Sequence, residues 1–298
     1  MIRLVHITDP HLTTLDGQRL WRLRGKRWSG YLSWQRRRRH VHLRERLDRV
    51  TAAALAEDPV QILVTGDLVH IGLPGEIEAA AGWLEALGPP QRVMLVPGNH
   101  DDYAADSRAA LQASWAAYLP ESDADYPRLR TLEDGGVTIS LLGLSSVMPT
   151  PLFMAHGRLG PAQLGRFDRA LAAADGFRCV LLHHPPLPGM ASWRKGLHDA
   201  PALADVLDGR GAELVLHGHV HRNVRARSPA GVPVYGTASA SSNEPPASYR
   251  RIDIGRDGDD WVVDQRLIEV AADGGRAEAE RVVWRTPVRE SATAPSGA

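Results

Sequence analysis

Short apolar runs recur along the first three quarters of the chain, and polar residues follow each of them, often after a glycine. Continuous apolar runs of this length, rich in branched side chains, predict strands that are covered on both faces. Such strands are predicted at 2–8, 61–67, 92–101, 138–146, 177–186 and 211–221. Helix-like stretches lie between them at 45–56, 76–87, 106–119, 161–174 and 200–208. This alternation predicts an α/β fold, which places its chemistry at the carboxyl ends of the strands.

The pattern changes after the last of these strands. Three further strands are predicted in succession, at 231–239, 249–255 and 260–270. The joints between them are rich in Gly and Asp, at 255–260 and 273–275, which predicts hairpin turns. No internal repeat and no separable second domain is visible. We therefore expect one domain over residues 1–285 and a disordered tail over 286–298, where apolar residues are scarce.

Composition narrows the class of protein. The chain has 298 residues, of which 43% are hydrophobic and 23% charged, as in ordinary globular proteins. Its single cysteine, Cys179, excludes a disulfide framework and is expected to be a buried apolar residue. No signal peptide and no run of about 20 apolar residues is present. These features predict a soluble, cytoplasmic protein.

Charge is unevenly distributed, although the formal net charge is zero. Residues 19–49 contain twelve Lys and Arg but only two Asp and Glu, a local net charge of +10. The rest of the chain is therefore acidic. A segregated basic block of this kind is typical of a surface that contacts an anionic partner.

Candidate ligands for metal follow the predicted strands. Carboxylates, imidazoles and one amide oxygen, with no thiolate among them, suit Mn, Fe or Zn. The candidates are too numerous for one tetrahedral ion, and two divalent ions that share a carboxylate fit better, as in sites that activate water against phosphate esters. The residues concerned are Asp9, His11, Asp67, Asn99, His100, His183, His219 and His221. Asp9 and His11, like His219 and His221, are spaced i, i+2, so an extended backbone would direct each pair to one side.

Five ordered motifs resemble those of the calcineurin-like binuclear metallophosphoesterases, and in particular the bacterial cyclic-nucleotide phosphodiesterase and UDP-2,3-diacylglucosamine hydrolase branch. The motifs are Asp9-x-His11, Gly66-Asp67, Gly98-Asn99-His100-Asp101, His183 and Gly218-His219-x-His221. The resemblance implies a four-layer αββα sandwich of two mixed sheets flanked by helices, with two metal ions at one edge.

The resemblance also implies a role for each motif residue. Asp9, His11 and His221 would hold the first ion, and Asn99, His183 and His219 the second, with Asp67 bridging the two. His100 would assist the leaving group and Asp101 would orient His100. Metal-activated hydroxide would then attack the phosphate ester.

The other histidines have ordinary structural interpretations. His183 and His184 are adjacent, so either could be the residue that binds the metal. The family's His-x-Pro pattern favours His183. His6 is expected in the core or behind the ligands, and His217 in packing. His70 is expected to be a loop residue that could approach substrate. The remaining ones, His40, His42, His156 and His198, carry no signal.

The basic block departs from compact members of the family. It belongs to a stretch of 56 residues from His11 to Asp67, and it interleaves arginines with Trp21, Trp28, Tyr31 and Trp34. A helical insert whose aromatic residues dock on the domain is one interpretation. Tryptophan with arginine also suits an anionic membrane surface. Single-stranded nucleic acid is a third and less favoured partner.

Three functions remain from the sequence. The favoured one is a phosphodiesterase that acts on a cyclic nucleotide or a related small diester. The alternative is a peripheral membrane hydrolase of a phospholipid or a nucleotide-linked lipid pyrophosphate, at the inner face of the membrane. A non-catalytic interaction module is disfavoured, because a scaffold has no need of seven metal ligands. The natural substrate, the metal and the oligomeric state are left open by the sequence.

Overall fold

The computed structural model describes residues 1–19, 21 and 23–289, and these form two six-stranded sheets packed face to face. The strands of the first sheet are β1 (Ile2–Ile7), β2 (Gln61–Val64), β3 (Val93–Leu95), β10 (Ser248–Asp257), β11 (Asp260–Val270) and β12 (Arg276–Pro287). Those of the second are β4 (Arg128–Asp134), β5 (Val137–Gly143), β6 (Phe177–Leu181), β7 (Leu214–His217), β8 (Val224–Arg227) and β9 (Pro233–Gly236).

Helices cover the outer faces of both sheets and also form the basic block. They are α1 (Lys26–Ser33), α2 (Arg39–Val41), α3 (Arg44–Leu55), α4 (Pro74–Leu87), α5 (Ala105–Ser114), α6 (Gly160–Ala173) and α7 (Ala200–Arg210). A π-helical turn, Trp34–Arg38, joins α1 directly to α2. The five helices predicted from periodicity are therefore all present, and only α5 is clearly shorter than expected.

Both sheets are mixed. The first has the strand order β12-β11-β10-β1-β2-β3, with β1, β2 and β3 parallel and β10 to β12 antiparallel. The second has the order β4-β5-β6-β7-β9-β8, in which β5, β6, β7 and β9 are parallel. The parallel strands at the centre of each sheet end at the same edge, so the loops that follow them can converge there.

Strand alternation separates the layers of the core. On β1, Leu4 packs into the apolar layer between the two sheets, while Val5 and Ile7 face the helices outside the first sheet. A third apolar layer lies between the second sheet and the helices α6 and α7. Cys179 is fully buried between the sheets, as expected for an apolar residue. The predicted four-layer αββα sandwich is confirmed.

Three edge strands were not predicted, namely β12 at one edge of the first sheet and β4 and β8 in the second. β4 (sequence RLRTLED) and β8 (sequence VRAR) lie at the two edges of the second sheet and alternate between exposed and half-covered positions. Charged residues along a strand are a common way to keep a sheet edge from pairing with another chain. Because that composition also resembles a polar loop, these strands escape a search for apolar runs.

The carboxyl end of the domain extends beyond the predicted boundary at residue 285. β12 runs to Pro287 because it pairs with β11 along its whole length, and Val288 N–H still donates to the carbonyl of Asp259. The expected disordered tail is therefore wrong for residues 286–289. The rest of that prediction, residues 290–298, lies outside the described part of the chain.

The basic block is folded onto the domain. Trp34 is 4% exposed and packs with Leu15, Ile71 and Tyr103 in a small separate core. Gly30 lies so close to the Ile71 and Tyr103 side chains that a β-carbon at this position would overlap both. The docking interpretation holds for Trp34. The membrane interpretation is wrong for this residue, because its ring is buried.

Among the described residues, no helix combines the length and the apolar character needed to cross a bilayer.

We expect Trp34→Ala to lower the free energy of unfolding by about 3–5 kcal/mol, because it removes a large buried ring. Trp28→Ala is the matched control, since Trp28 is 49% exposed on the same insert, and its effect should stay within about 0.5 kcal/mol. Urea denaturation of both variants measures the difference. Equal effects would mean that the insert is not docked.

Candidate metal centre

All seven predicted ligands lie together at the carboxyl edge of the parallel strands. They follow β1, β2, β3, β6 and β7 and form two groups of side chains whose ligand atoms are within 4.8 Å of one another. The first group contains Asp9, His11, Asp67 and His221, and the second contains Asp67, His183 and His219. Asn99 joins the second group, since its Oδ1 lies 3.2 Å from His183 Nε2.

The backbone at these positions is not extended. The strands β1 and β7 end at Ile7 and His217, before the ligands begin. The ligands that adopt positive φ angles are Asp9 (50°), His11 (39°), Asp67 (57°), His219 (71°) and His221 (51°). The expected extended i, i+2 geometry is therefore wrong, although the side chains do converge. Left-handed backbone at non-glycine residues is costly and is concentrated at functional sites.

Two glycines allow the loops to approach closely. A β-carbon on Gly66 would overlap the backbone of Gly98, and one on Gly218 would overlap the side chains of Thr8 and Asp9. Gly66 also has a φ of 82°, which side chains rarely adopt. These contacts bring Asp67 and His219 within reach of the other ligands.

The first group has its lone pairs directed inward. His11 Nδ1 lies 2.9 Å from the carbonyl oxygen of Val69, and a carbonyl can only accept, so Nδ1 carries the proton. His11 Nε2 is then unprotonated, and it faces His221 Nε2 at 3.2 Å. Asp9 Oδ2 accepts from Thr8 and from the His219 N–H, while Oδ1 lies 3.1 Å from His221 Nε2.

The second group repeats this arrangement. His183 Nδ1 donates to the carbonyl oxygen of Thr65 at 2.6 Å, which leaves Nε2 as the ring atom directed into the group. That atom lies 3.2 Å from both Asn99 Oδ1 and His219 Nδ1. The other ring nitrogen of His219, Nε2, is buried and has no hydrogen-bond partner.

Asp67 lies between the two groups. Its Oδ1 accepts a hydrogen bond from the His100 N–H at 2.7 Å, which fixes the carboxylate. Its Oδ2 lies 3.3 Å from His183 Nε2 and 3.9 Å from His11 Nε2. One carboxylate oxygen therefore faces the ligand nitrogens of both groups, which is the position of a bridge.

These donor sets fit two divalent metal ions. Ligand atoms about 2.0–2.2 Å from one ion, at angles of about 90–110°, stand about 3.0–3.5 Å apart, which matches most of the separations here. The carbonyl bonds to Nδ1 of His11 and His183 are the usual support for a metal-bound imidazole. The first ion would be held by Asp9, His11, Asp67 and His221, and the second by Asp67, Asn99, His183 and His219.

The structure distinguishes His183 from His184. His183 directs Nε2 into the second group, whereas His184 turns away from it. His184 Nδ1 lies 2.8 Å from Ser146 Oγ, and its Nε2 lies 3.2 Å from the carbonyl oxygen of Ala155. Both nitrogens of His184 are therefore occupied by protein groups.

Asp101 does not orient His100, so that expectation is wrong. The Asp101 carboxylate accepts from the backbone N–H groups of Asp67, Leu68 and Gly98 at 2.7–2.8 Å, and it thereby joins two ligand loops. The His100 ring is held by the carbonyl of His70, to which its Nδ1 donates. The family resemblance implied a contact between these two side chains, but the Asp101 carboxylate is directed to backbone N–H groups instead.

The remaining histidines behave as structural residues with one exception. His6 lies between the hydroxyls of Thr65 and Thr237, behind the ligands, and His217 is buried in packing. His70 stacks on the His11 ring, with 5.2 Å between centroids. The exception is His42, which the sequence left without a role.

His42 reaches the centre from the basic insert. Its ring centroid lies 4.4 Å from that of His11, and it forms a third group with His11 and His221. Its Nδ1 lies 2.9 Å from the hydroxyl of Ser241. In the sequence, His42 is marked only by its position just after a run of arginines. That position does not show which part of the domain the insert packs against.

An αββα sandwich with two ligand groups around a shared carboxylate is typical of binuclear metal-dependent hydrolases of phosphate esters. The family model for calcineurin-like phosphoesterases matches residues 2–223, and the chain belongs to this family.

Relatives and solved structures agree with this assignment. The chain is 33% identical over 139 residues to the glycerophosphodiester phosphodiesterase GpdQ of Enterobacter lignolyticus, covering 45% of each protein. It is 28% identical over 228 residues to the 3′,5′-cyclic adenosine monophosphate phosphodiesterase CpdA of Escherichia coli, covering 75% of this chain and 70% of that protein. The chain spans about half the length of the first curated relatives it matches.

The fold is also that of a solved dimetal phosphatase from Danio rerio. The TM-score is 0.63 at 16% identity, and the match covers 95% of this chain and 98% of the other.

We expect His183→Ala to lose one of two bound metal ions and Asp67→Ala to lose both, because Asp67 serves both groups. His184→Ala is the matched control for His183 and should retain two. Elemental analysis of the purified variants, after incubation with Mn²⁺ and desalting, measures the content. Two retained ions in the Asp67 variant would contradict a shared bridge.

Proposed function

We propose that the protein is a phosphodiesterase that uses two divalent metal ions, Mn, Fe or Zn, to hydrolyse a cyclic nucleotide or a related small diester. The observation that carries this proposal is the single oxygen of Asp67 that faces the nitrogens of both ligand groups. The names of the relatives support a diester, since both the glycerophosphodiester and the cyclic AMP enzymes cleave one.

Two bound divalent ions would lower the pKa of water to near neutrality and attract the oxygens of a phosphate ester. The chain supplies the remaining parts of the reaction. Asp9 and Asp67 set the charge of the centre, and the backbone bonds to His11 and His183 hold the ligands in place. The His100 ring lies edge-on to that of His11, with 5.1 Å between centroids, and its Nδ1 is bonded to the carbonyl of His70, which leaves Nε2 for the substrate.

His100 is proposed to assist the departure of the leaving group. Burial, and then the positive charge of Arg38, hold the pKa of His100 well below its ordinary value in the free protein. An imidazole in this state donates a proton at Nε2 only when an anionic substrate raises its pKa. Its contribution should therefore depend on how strongly the leaving group needs a proton.

A panel of cyclic nucleotides, glycerophosphodiesters, phosphate monoesters and lipid pyrophosphates, assayed with Mn²⁺ restored to stripped protein, tests the function. We expect diester cleavage in the wild type. His100→Ala should retain both ions and lose about 10²–10⁴-fold in kcat on alkyl diesters, but much less on bis(p-nitrophenyl) phosphate. Equal losses on both kinds of diester would contradict the acid role, and activity on monoesters alone would contradict the diesterase.

A peripheral membrane hydrolase is the second candidate, and the exposed surface of the insert favours it. Trp21 is 76% exposed and Trp28 is 49% exposed, and Arg36, Arg37 and Arg39 are exposed on the same segment. Aromatic rings and cations side by side suit an anionic bilayer surface. We propose this surface, without Trp34, as the part of the insert that would contact lipid.

We expect the protein to sediment with vesicles of phosphatidylglycerol and phosphatidylcholine, and the double variant Trp21→Ala, Trp28→Ala to be released. Leu129→Ala is the control, because Leu129 is 58% exposed on the edge strand β4, outside the insert. Failure of the wild-type protein to sediment at low salt would exclude the membrane candidate and leave the diesterase untouched.

A further inference from the structure

Two cations of the insert face the metal centre without carboxylate partners. Arg38 Nη1 lies 3.1 Å from His100 Nδ1, an atom that already donates its proton to the carbonyl of His70. Because an arginine can only donate, this contact is not a hydrogen bond, and it leaves the guanidinium unsatisfied. The opposite case is Arg27, which forms an ion pair with Asp106.

Lys26 lies near His100, on the Tyr103 ring that stacks on it. Its Nζ donates to Thr150 Oγ1 at 2.5 Å and lies 4.4 Å from the centroid of the Tyr103 ring. The Tyr103 ring in turn stacks on His100, with 5.4 Å between centroids. Among the described residues, no carboxylate forms an ion pair with either Lys26 or Arg38. The charges of Lys26 and Arg38 therefore both lie close to the His100 imidazole.

Burial makes these unpaired charges costly. It lowers the pKa of Lys26 to about 8 and also lowers the pKa of Arg38, and the carboxylate of Asp67 opposes both shifts only in part. Cations that are removed from water are normally paired with an anion. Since the described protein supplies no anion to pair with them, a ligand that carries negative charge would satisfy both.

The insert is held so that these side chains cannot simply turn away. Gly30 and Trp34 pack against the domain at one end of the helix. At the other end Leu43 N–H donates to the carbonyl of Ser241, and Asn243 N–H donates to that of Val41. Arg38 closes the π-helical turn between these two attachments. Such turns often occur at functional positions, where they redirect a side chain.

We propose that Lys26 and Arg38 bind the non-bridging oxygens of the substrate's phosphoryl group beside the metal centre, which makes the insert a substrate-binding element of this enzyme. The proposal rests on the proposed phosphoesterase function and names the part of the chain that recognises the charge of the substrate. Arg38, as a fixed fork of donors, would also oppose the negative charge that develops on those oxygens during the reaction.

The basic block then contains two kinds of cation. Arg38 and Lys26 are half-buried and face the centre, whereas Arg24, Arg36, Arg37 and Arg39 are exposed to solvent. Exposed cations attract an anion only weakly at physiological salt, because their field is screened within about 8 Å. The two kinds should therefore differ sharply in their effect on binding. This difference supplies matched controls from the same insert.

The test is the affinity of the protein carrying two metal ions for inorganic phosphate, measured by titration calorimetry. We expect Lys26→Met and Arg38→Met each to weaken binding by about 10–100-fold, which is typical of a lost charge-assisted hydrogen bond. Arg24→Met and Arg37→Met should change the affinity by less than about 2-fold. Arg38→Lys, which retains the charge but not the fork, should fall between the wild type and Arg38→Met.

Because the test measures phosphate affinity and not turnover, its failure can be distinguished from a failure of the proposed function. Absence of bound metal, or of diester cleavage by the wild type, would overturn the proposed function. The proposal that Lys26 and Arg38 bind the phosphoryl group would be overturned by wild-type protein that holds two ions but binds no phosphate. Equal affinities in the four Met variants would also overturn it. If Arg38→Met fails to fold, Lys26→Met with Arg24→Met decides the question alone.

Arg38 could instead act only by positioning His100, and a double variant distinguishes this case. We expect Arg38→Met to weaken phosphate binding as much in a His100→Ala background as in the wild type, because the guanidinium contacts the ligand directly. If the effect of Arg38→Met disappears when His100 is absent, Arg38 does not bind the phosphoryl group and the proposal fails.

Discussion

Asp67 Oδ2 lies between two groups of imidazoles, and in each group one ring, His11 or His183, has its Nδ1 bonded to a backbone carbonyl. The Nε2 atoms of these two rings are therefore the atoms directed to a shared cation site. Much of the local structure depends on holding this arrangement. The left-handed backbone at five ligands, the contact between Gly66 and Gly98, and the Asp101 carboxylate that joins their loops all serve it. The free energy released by binding metal would offset the strain.

The sandwich provides the rigid frame for that centre. Strands β1, β2 and β3 of one sheet and β6 and β7 of the other end at a common edge, and each contributes one loop. The apolar layer between the sheets keeps the two edges in register, because residues such as Leu4, Leu63 and Leu181 are fully buried there. The insert adds a further wall. Folding separates the cations of the basic block into two sets. Arg38 lies against His100, whereas its neighbours in the sequence are exposed to solvent.

Much of the fold could be predicted from local patterns. Strands at the middle of the sheets are buried on both faces, so their apolar runs are continuous and easy to recognise. The edge strands β4 and β8 carry exposed charges and were missed for that reason. They are held by antiparallel pairing with β5 and β9, their neighbours in the chain, and the extension of β12 to Pro287 is held by its pairing with β11. The polarity of a strand does not show that it is paired in this way.

The amino-acid sequence alone determined which residue types could hold two metals, because Asp, His and Asn with no cysteine thiolate stand in order after successive apolar runs. It also determined the α/β class, through strand and helix periodicities that are local, while the αββα layering was implied by the resemblance of its five motifs to the calcineurin-like family. Only the tertiary structure decided that His42 and Arg38 reach the centre, that His184 turns to Ser146, and that Asp101 binds backbone rather than His100. Each of these depends on contacts between segments far apart in the chain, and no local pattern encodes where such segments meet.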